Sequence, residues 1–241
     1  MILQVENISK SFGGLRALKG VSLAIGAGEI VGLIGPNGAG KTTLLNVIAG
    51  AHRPDSGNVY LAGTNVTSLA PEALSRRGLA RTFQIAQSFP QLTAFENVLV
   101  AARFGGEPST RGEPEPLARR MLEFVEFPLS VDTLAGKLNT AQLKRVDLAR
   151  ALAGRPRLLL LDELAAGLTP TEIGDLTRLI RAIRETGVAL VVVEHLMRVI
   201  QQVCDRVGFL DSGEIIAEGT PEQIAQDVRV VDAYLGSQYS P

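Results

Sequence analysis

The sequence predicts an α/β fold with a largely parallel sheet, an N-terminal antiparallel β subdomain and an inserted helical subdomain. Three observations predict it. The glycine-rich run Gly35-Pro36-Asn37-Gly38-Ala39-Gly40-Lys41-Thr42-Thr43 follows the apolar stretch Ile30 to Ile34 and opens onto a helical pattern, which reads as strand, phosphate-binding loop, helix. Two later runs, Arg157 to Asp162 and Val188 to Val193, are continuously apolar, as in strands covered on both faces of a parallel sheet. Helix start and stop signals lie between them, so strands alternate with helices.

The elements follow in order. Residues 2–27 read as β, with Ile2 to Val5 and Val21 to Ile25 alternating or apolar between Gly-rich turns. A helix is expected from about Thr42, with Leu44, Leu45, Val47 and Ile48 on a broad apolar face. Asp55-Ser56-Gly57 then turns the chain into a strand over Asn58 to Leu61. From Pro71 to Gly136 the character becomes helical and irregular. The clusters Gly105 to Pro108 and Gly112 to Pro116 mark a surface loop. We expect one domain over 1–241, with a nucleotide-binding core from 1–84 and 156–241 and a helical subdomain over 85–155.

Beyond the run ending at Asp162, Thr169-Pro170-Thr171-Glu172 starts a helix, with Thr as N-cap, Pro in the first turn and Glu closing a capping box. Ile173, Leu176, Leu179, Ile180 and Ile183 form its apolar stripe, and Gly187 ends it. Two runs around Asp211-Ser212-Gly213 read as a hairpin, and Thr220 to Gln223 caps a terminal helix. There is neither an internal repeat nor a coiled-coil heptad.

A net charge of −1 over 241 residues gives no electrostatic reason to expect nucleic acid. The single cysteine, Cys204, excludes a disulfide framework, points to a reducing compartment and reads as a small buried side chain. The apolar runs are too short to cross a bilayer, and no basic-then-apolar leader opens the sequence. A soluble, cytoplasmic protein is expected, one able to dock on a membrane partner.

The phosphate loop carries the chemistry. Its glycines let the backbone approach a triphosphate, and its amides converge at a helix N-terminus, where the dipole favours negative charge. Lys41 is expected to reach the β- and γ-phosphates and Thr42 to offer a hydroxyl to Mg²⁺. A nucleoside triphosphate, ATP by the resemblance below, is therefore the expected ligand. Downstream, Asp162 closes an apolar strand and is expected to hold Mg²⁺ through its water shell, while Glu163 orients or deprotonates the attacking water. His195, just past the next strand, is positioned to contact the γ-phosphate or that water. Gln84, where the core gives way to the helical insert, can touch Mg²⁺ or water with its amide. His52 lacks such context and reads as a surface residue, and Glu194-His195 lacks the partner histidine of a zinc helix.

Together these motifs resemble the nucleotide-binding subunits of ABC transporters, over essentially the whole chain. The resemblance implies adenine stacking on Phe12, a Q-loop glutamine at Gln84, a magnesium aspartate at Asp162, a general base at Glu163 and a switch histidine at His195. Within the family, Gly78 to Gln84 and the ending Ala217 to Glu222, with Tyr234-Leu235-Gly236, are most similar to ATPase subunits of branched-chain amino acid importers. That implies peripheral attachment at the cytoplasmic face of the inner membrane. The implied partners are a second ATPase subunit, two integral membrane permease subunits and, indirectly, an external solute-binding protein.

The sequence departs from the family at the signature, usually Leu-Ser-Gly-Gly-Gln and here Leu138-Asn139-Thr140-Ala141-Gln142. Asn139 can still cap a helix, but Thr140 and Ala141 add β-carbons where backbone meets phosphate and narrow the dihedrals. The proline that usually follows the general base is Leu164, and the aspartate of the dimer loop is Thr169. An asymmetric heterodimer is expected, with this chain's own phosphate site active and its signature serving a slower one. Equal turnover at both sites would contradict that. ATPases of DNA repair, chromosome maintenance or translation usually bring coiled coils, basic surfaces or two cassettes, and a GTP switch needs an Asn-Lys-x-Asp segment; the sequence has none of these. Lipid or lipopolysaccharide export remains the alternative.

Overall fold

Each continuous apolar run becomes a strand that buries both of its faces. In the computed structural model, residues 1–82, 87–106 and 113–239 are described, with side chains as far as Tyr234. The chain opens with β1 (Leu3–Phe12) and β2 (Leu15–Ile25), an antiparallel pair, then β3 (Ile30–Ile34), the phosphate loop and α1 (Lys41–Ile48). β4 (Ser56–Leu61) pairs antiparallel with β1, and β5 (Thr64–Asn65) with β4. These four form one sheet, ordered β2-β1-β4-β5.

Next come α2 (Pro71–Ser75), β6 (Leu79–Arg81), α3 (Ala94–Phe104), α4 (Pro114–Phe124), a 3-10 turn at Ala135–Lys137 and α5 (Thr140–Ala153). The core resumes with β7 (Leu158–Asp162), α6 (Pro170–Glu185), β8 (Ala189–Val193), α7 (Met197–Val203), β9 (Arg206–Asp211), β10 (Glu214–Gly219), α8 (Pro221–Gln226) and α9 (Val228–Tyr239). The second sheet is ordered β10-β9-β3-β8-β7-β6, and only the β9–β10 hairpin is antiparallel. The expected architecture of parallel core, antiparallel β layer and helical group is the observed one.

Burial follows the period of two. In β7, Leu159 and Leu161 join the core on the helical side, while Leu158 and Leu160 join the core shared with β1, β2 and α1. In β8, Leu190 and Val192 face the first core, and Ala189, Val191 and Val193 the second. Both faces of the sheet are thus apolar, which is why the strands read as runs rather than alternations. α3, α4 and α5 pack on one another and on the first core through Val98, Leu122, Val146 and Leu148.

The capping signals form as read. Thr169 Oγ1 accepts from the Glu172 amide while the Glu172 carboxylate accepts from the Thr169 amide at 2.7 Å, and Thr220 with Gln223 repeats the arrangement. Gly187, at φ 89°, follows the end of α6 in the left-handed region that a chain reversal needs there. Not anticipated were the two-residue β5, β6 at the edge of the parallel sheet, α7 two residues after His195, and a break in the terminal helix at Asp227. The Asp227 carboxylate accepts from the Arg229 amide and guanidinium and starts the last helix anew. Desolvation pushes the Cys204 thiol up to about 12, so it packs as a neutral apolar side chain.

Candidate functional site

Three parallel strands end side by side, and each delivers a polar segment at its C-terminal end. The register aligns Leu33 of β3 with Val193 of β8, and Val193 with Asp162 of β7. The phosphate loop, the Asp162-Glu163 pair and Glu194-His195 therefore emerge at one edge, where ligands of parallel sheets characteristically bind.

The loop geometry demands glycine at two places. Gly40 sits at φ 108° immediately before α1, where a Cβ would lie 2.6 Å from the Ala17 carbonyl oxygen. At Gly35, φ 148°, a Cβ would collide with the carbonyl of Leu210 on β9. Ala39 is buried beneath the loop while Asn37 and Gly38 are exposed, with Pro36 between them in burial. Lys41 opens α1 and folds its Nζ onto the loop's own carbonyls, donating to Gly35 at 2.7 Å and Pro36 at 2.9 Å. Burial lowers its pKa, and the carboxylates of Glu163 and Asp162 pull the other way. Thr42 is exposed and Thr43 half-buried.

An open cavity of about 640 Å³ lies over this loop, lined by Asn37, Gly38, Lys41, Thr42, Glu163 and Phe12 among others. Phe12, at the end of β1, is 44% exposed, with the Lys10 ammonium 5.3 Å from its ring centroid. His52, read as an ordinary surface residue, is half-buried with its ring edge-on to Phe12 at 5.2 Å. It supports the aromatic from behind.

Glu163 takes φ 48°, a left-handed conformation that costs a non-glycine residue about 1 kcal/mol or more. Its amide donates to Val193 O at 2.9 Å, and its Oε1 lies 2.7 Å from His195 Nε2. The two residues assigned to water activation and γ-phosphate sensing therefore touch directly. Behind them, Glu194 is buried and its Oε1 accepts from the Ala165 amide at 2.7 Å. Desolvation raises the Glu194 pKa against the opposing pull of that amide and of Lys144. Lys144, on α5, donates to the carbonyls of Leu164 at 2.6 Å and Ala166 at 2.5 Å. A buried cation and a buried carboxyl thus brace the segment after Glu163 from two sides.

Asp162 is 4% exposed, and its Oδ2 pairs with Arg81 NH2 at 2.8 Å. The other arm of that guanidinium donates to Asn46 Oδ1 on α1 at 2.5 Å. Sequence reading gave no role to Arg81, Lys144 or Glu194. Their partners lie 20 to 81 positions away, beyond the reach of a local sequence signal.

Leu138 to Gln142 stand apart from the cavity over the phosphate loop, whose lining includes none of them. Asn139 caps α5 in a full capping box, its Oδ1 accepting from the Gln142 amide at 2.9 Å and its amide donating to Gln142 Oε1 at 3.0 Å. One expectation changes. Thr140 and Ala141 are the first two residues of α5, a right-handed conformation open to any residue, so their dihedrals are not restricted there. Only the added bulk of their side chains distinguishes them from glycine. Leu164 is buried, and Thr169 serves as N-cap of α6. Gln84 lies outside the described residues.

On the helical subdomain, Phe89 is exposed beside Val100, Phe104 and Arg150 between α2 and α3. Pro90 is exposed, and its carbonyl accepts from the Gly136 amide at 2.9 Å. Phe95 instead packs into the helical core, with Arg119 4.6 Å from its ring centroid. Buried Asn97 pins this segment by bonding both the amide and the carbonyl of Phe89.

A protein-family model described as ABC transporter matches residues 18–166. The chain belongs to the ABC transporter family. This cassette is also matched over residues 214–240 by a model described as branched-chain amino acid ATP-binding cassette transporter. It is 38% identical to the high-affinity branched-chain amino acid transport ATP-binding protein BraF of Pseudomonas aeruginosa, over 98% of either chain. It is 34% identical, again over 98% of either chain, to the lipopolysaccharide export system ATP-binding protein LptB of Escherichia coli K12. Among solved structures, an ATP-binding cassette of an ABC transporter in its ADP conformation superposes with a TM-score of 0.87 at 33% identity, covering 98% of each chain. The cassette is an ABC-type ATPase.

Proposed function

We propose that this ATPase energises an importer of branched-chain amino acids or a related small amide or organic acid, paired with a second, different ATPase subunit. The match over residues 214–240, beyond the stretch matched by the ABC transporter model, carries the substrate class. The likeness to LptB favours a second reading, export of lipopolysaccharide or lipid.

In this reading the loop amides and Lys41 hold the triphosphate, and Phe12 stacks on adenine. Glu163 accepts a proton from the attacking water, and His195, already bonded to it, fixes its orientation. Thr42 would offer Mg²⁺ a hydroxyl, and Asp162 would hold it through its water shell. Among the described residues no group of three or more His, Cys, Asp or Glu is arranged to hold a metal. One protein hydroxyl, with a carboxylate beyond the water shell, would suit an ion that takes its remaining ligands from phosphate and water. Bound there, the ion would neutralise charge on the β- and γ-phosphates; Gln84 is a further candidate ligand.

The signature end of α5 has no phosphate of its own to face within one chain, so it serves the nucleotide of a partner. Residues 1–84 and 156–241 would act as the nucleotide-binding core, and 85–155 as the subdomain that meets the permease, with the exposed Phe89 groove taking its helix. No described helix is long and apolar enough to cross a membrane, so attachment through permease subunits at the cytoplasmic face fits the reading. A solute-binding protein would act on the opposite side, and no nucleic acid is involved.

The test combines assembly with transport. Light scattering of Glu163→Gln protein with ATP and Mg²⁺, with Lys41→Ala as control, is expected to show a monomer that binds ATP and dimerises only with the partner ATPase. Cells carrying Glu163→Gln should lose uptake of labelled leucine or of a short amide, with ATPase turnover falling about a hundredfold or more. Intact uptake together with a defective outer membrane would instead establish export.

A further inference from the structure

Opposite the nucleotide edge, where β6 and β7 begin, a second open cleft of about 640 Å³ is lined by Arg76, Arg77, Arg155 and Arg157 together with Thr64 and Gly78. We propose that this cleft binds a phosphate-bearing anion. The arginines come from two separate segments, one after α2 and one between α5 and β7. The Arg157 and Leu158 amides both bond to Gly78 O, so the fold itself brings the two segments together. Among the described residues no carboxylate lines the cleft and none of the four guanidiniums forms an ion pair. Arg77 spends one donor on the Ala73 carbonyl at 3.1 Å. In a chain of net charge −1, such a concentration of positive charge is local rather than a consequence of overall basicity.

The chemistry of the lining narrows the ligand. Guanidinium forks match phosphate oxygens two at a time, and the volume suits a small molecule. Among the described residues no aromatic ring lines the cleft, so none of them would stack on a nucleobase. The ligand is a compact, multiply charged phosphate, either free diphosphate or the headgroup of an anionic lipid. Arg76 also borders the groove between α2 and α3, so the cleft opens beside the surface assigned to the permease. The inference stands on the arginines alone and does not depend on which substrate is transported.

Calorimetric titration of inorganic diphosphate into Lys41→Ala protein, whose phosphate loop is disabled, tests it alongside co-sedimentation with phosphatidylglycerol and phosphatidylcholine vesicles. One diphosphate per chain, or sedimentation with phosphatidylglycerol alone, is expected, and the responding arm identifies the source. Adding Arg76→Gln and Arg157→Gln should weaken that binding about tenfold or more and flatten its salt dependence. In the native Lys41 background the same two changes should leave thermal unfolding and ATP turnover unaltered. Silence in both arms would overturn the proposal, as would binding that ignores the arginine substitutions. Tighter binding of a poly-glutamate peptide than of either probe would overturn it too, by assigning the cleft to an acidic partner segment.

Discussion

The phosphate loop and the segment opening α5, both proposed to meet phosphate, are helix N-termini built on opposite principles. At α1 the helix begins after Gly40 at φ 108°, with no side-chain cap, and the backbone itself is the proposed binding surface. At α5 the start is held by the Asn139–Gln142 capping box, a side-chain device that several residue types can supply. Where backbone conformation does the binding, substitution is forbidden by sterics. Where side chains hold the helix start, Thr140 and Ala141 can enter without disturbing the fold and alter only what a phosphate would meet.

The largest break in that symmetry should come at Gly40. Gly40→Ala forces a Cβ against the Ala17 carbonyl and is expected to abolish ATP binding in equilibrium dialysis. The paired change Thr140→Gly with Ala141→Gly should sharpen the comparison from the other side. It leaves ATP affinity of the isolated chain unchanged and raises ATP-dependent association with the partner ATPase several-fold, for about 1 kcal/mol of helix stability. Asn139→Ala removes only the cap, so about 1 kcal/mol of stability and roughly 2–4 °C in melting temperature should be lost with nucleotide affinity intact. The smallest effect concerns Glu194, whose folded pKa is raised by burial. A raised carboxyl adds stability below its unfolded pKa and loses that contribution as pH climbs through the folded value. Glu194→Gln keeps the acceptor for the Ala165 amide, so its melting temperature should fall less than wild type as pH rises above about 4.5. Parallel melting curves would contradict this.

Legibility followed the same division. The loop was readable because Gly, Lys and Thr at fixed spacing state a backbone requirement, and Asp162-Glu163 because a strand end sets their direction. The caps at Asn139, Thr169 and Thr220 were readable because each partner lies three residues away. β6 was not, since three residues, Leu79 to Arg81, show no period, and α7 is a bare two turns with no capping side chain. The brace of Lys144 and Glu194 and the His52 support of Phe12 are invisible in sequence because the contacts exist only once distant segments have been stacked.

The Arg81 clasp on Asp162 has a consequence for the order of events. With the Arg81 guanidinium 2.8 Å from its carboxylate, Asp162 is half of a neutralised pair, so a lone divalent ion should gain little there. An ion at this strand end would be held more strongly with phosphate oxygens as co-ligands. Metal and nucleotide should therefore enter as a preassembled unit, and free metal should neither protect the empty cassette from heat nor slow the exchange of its buried amides.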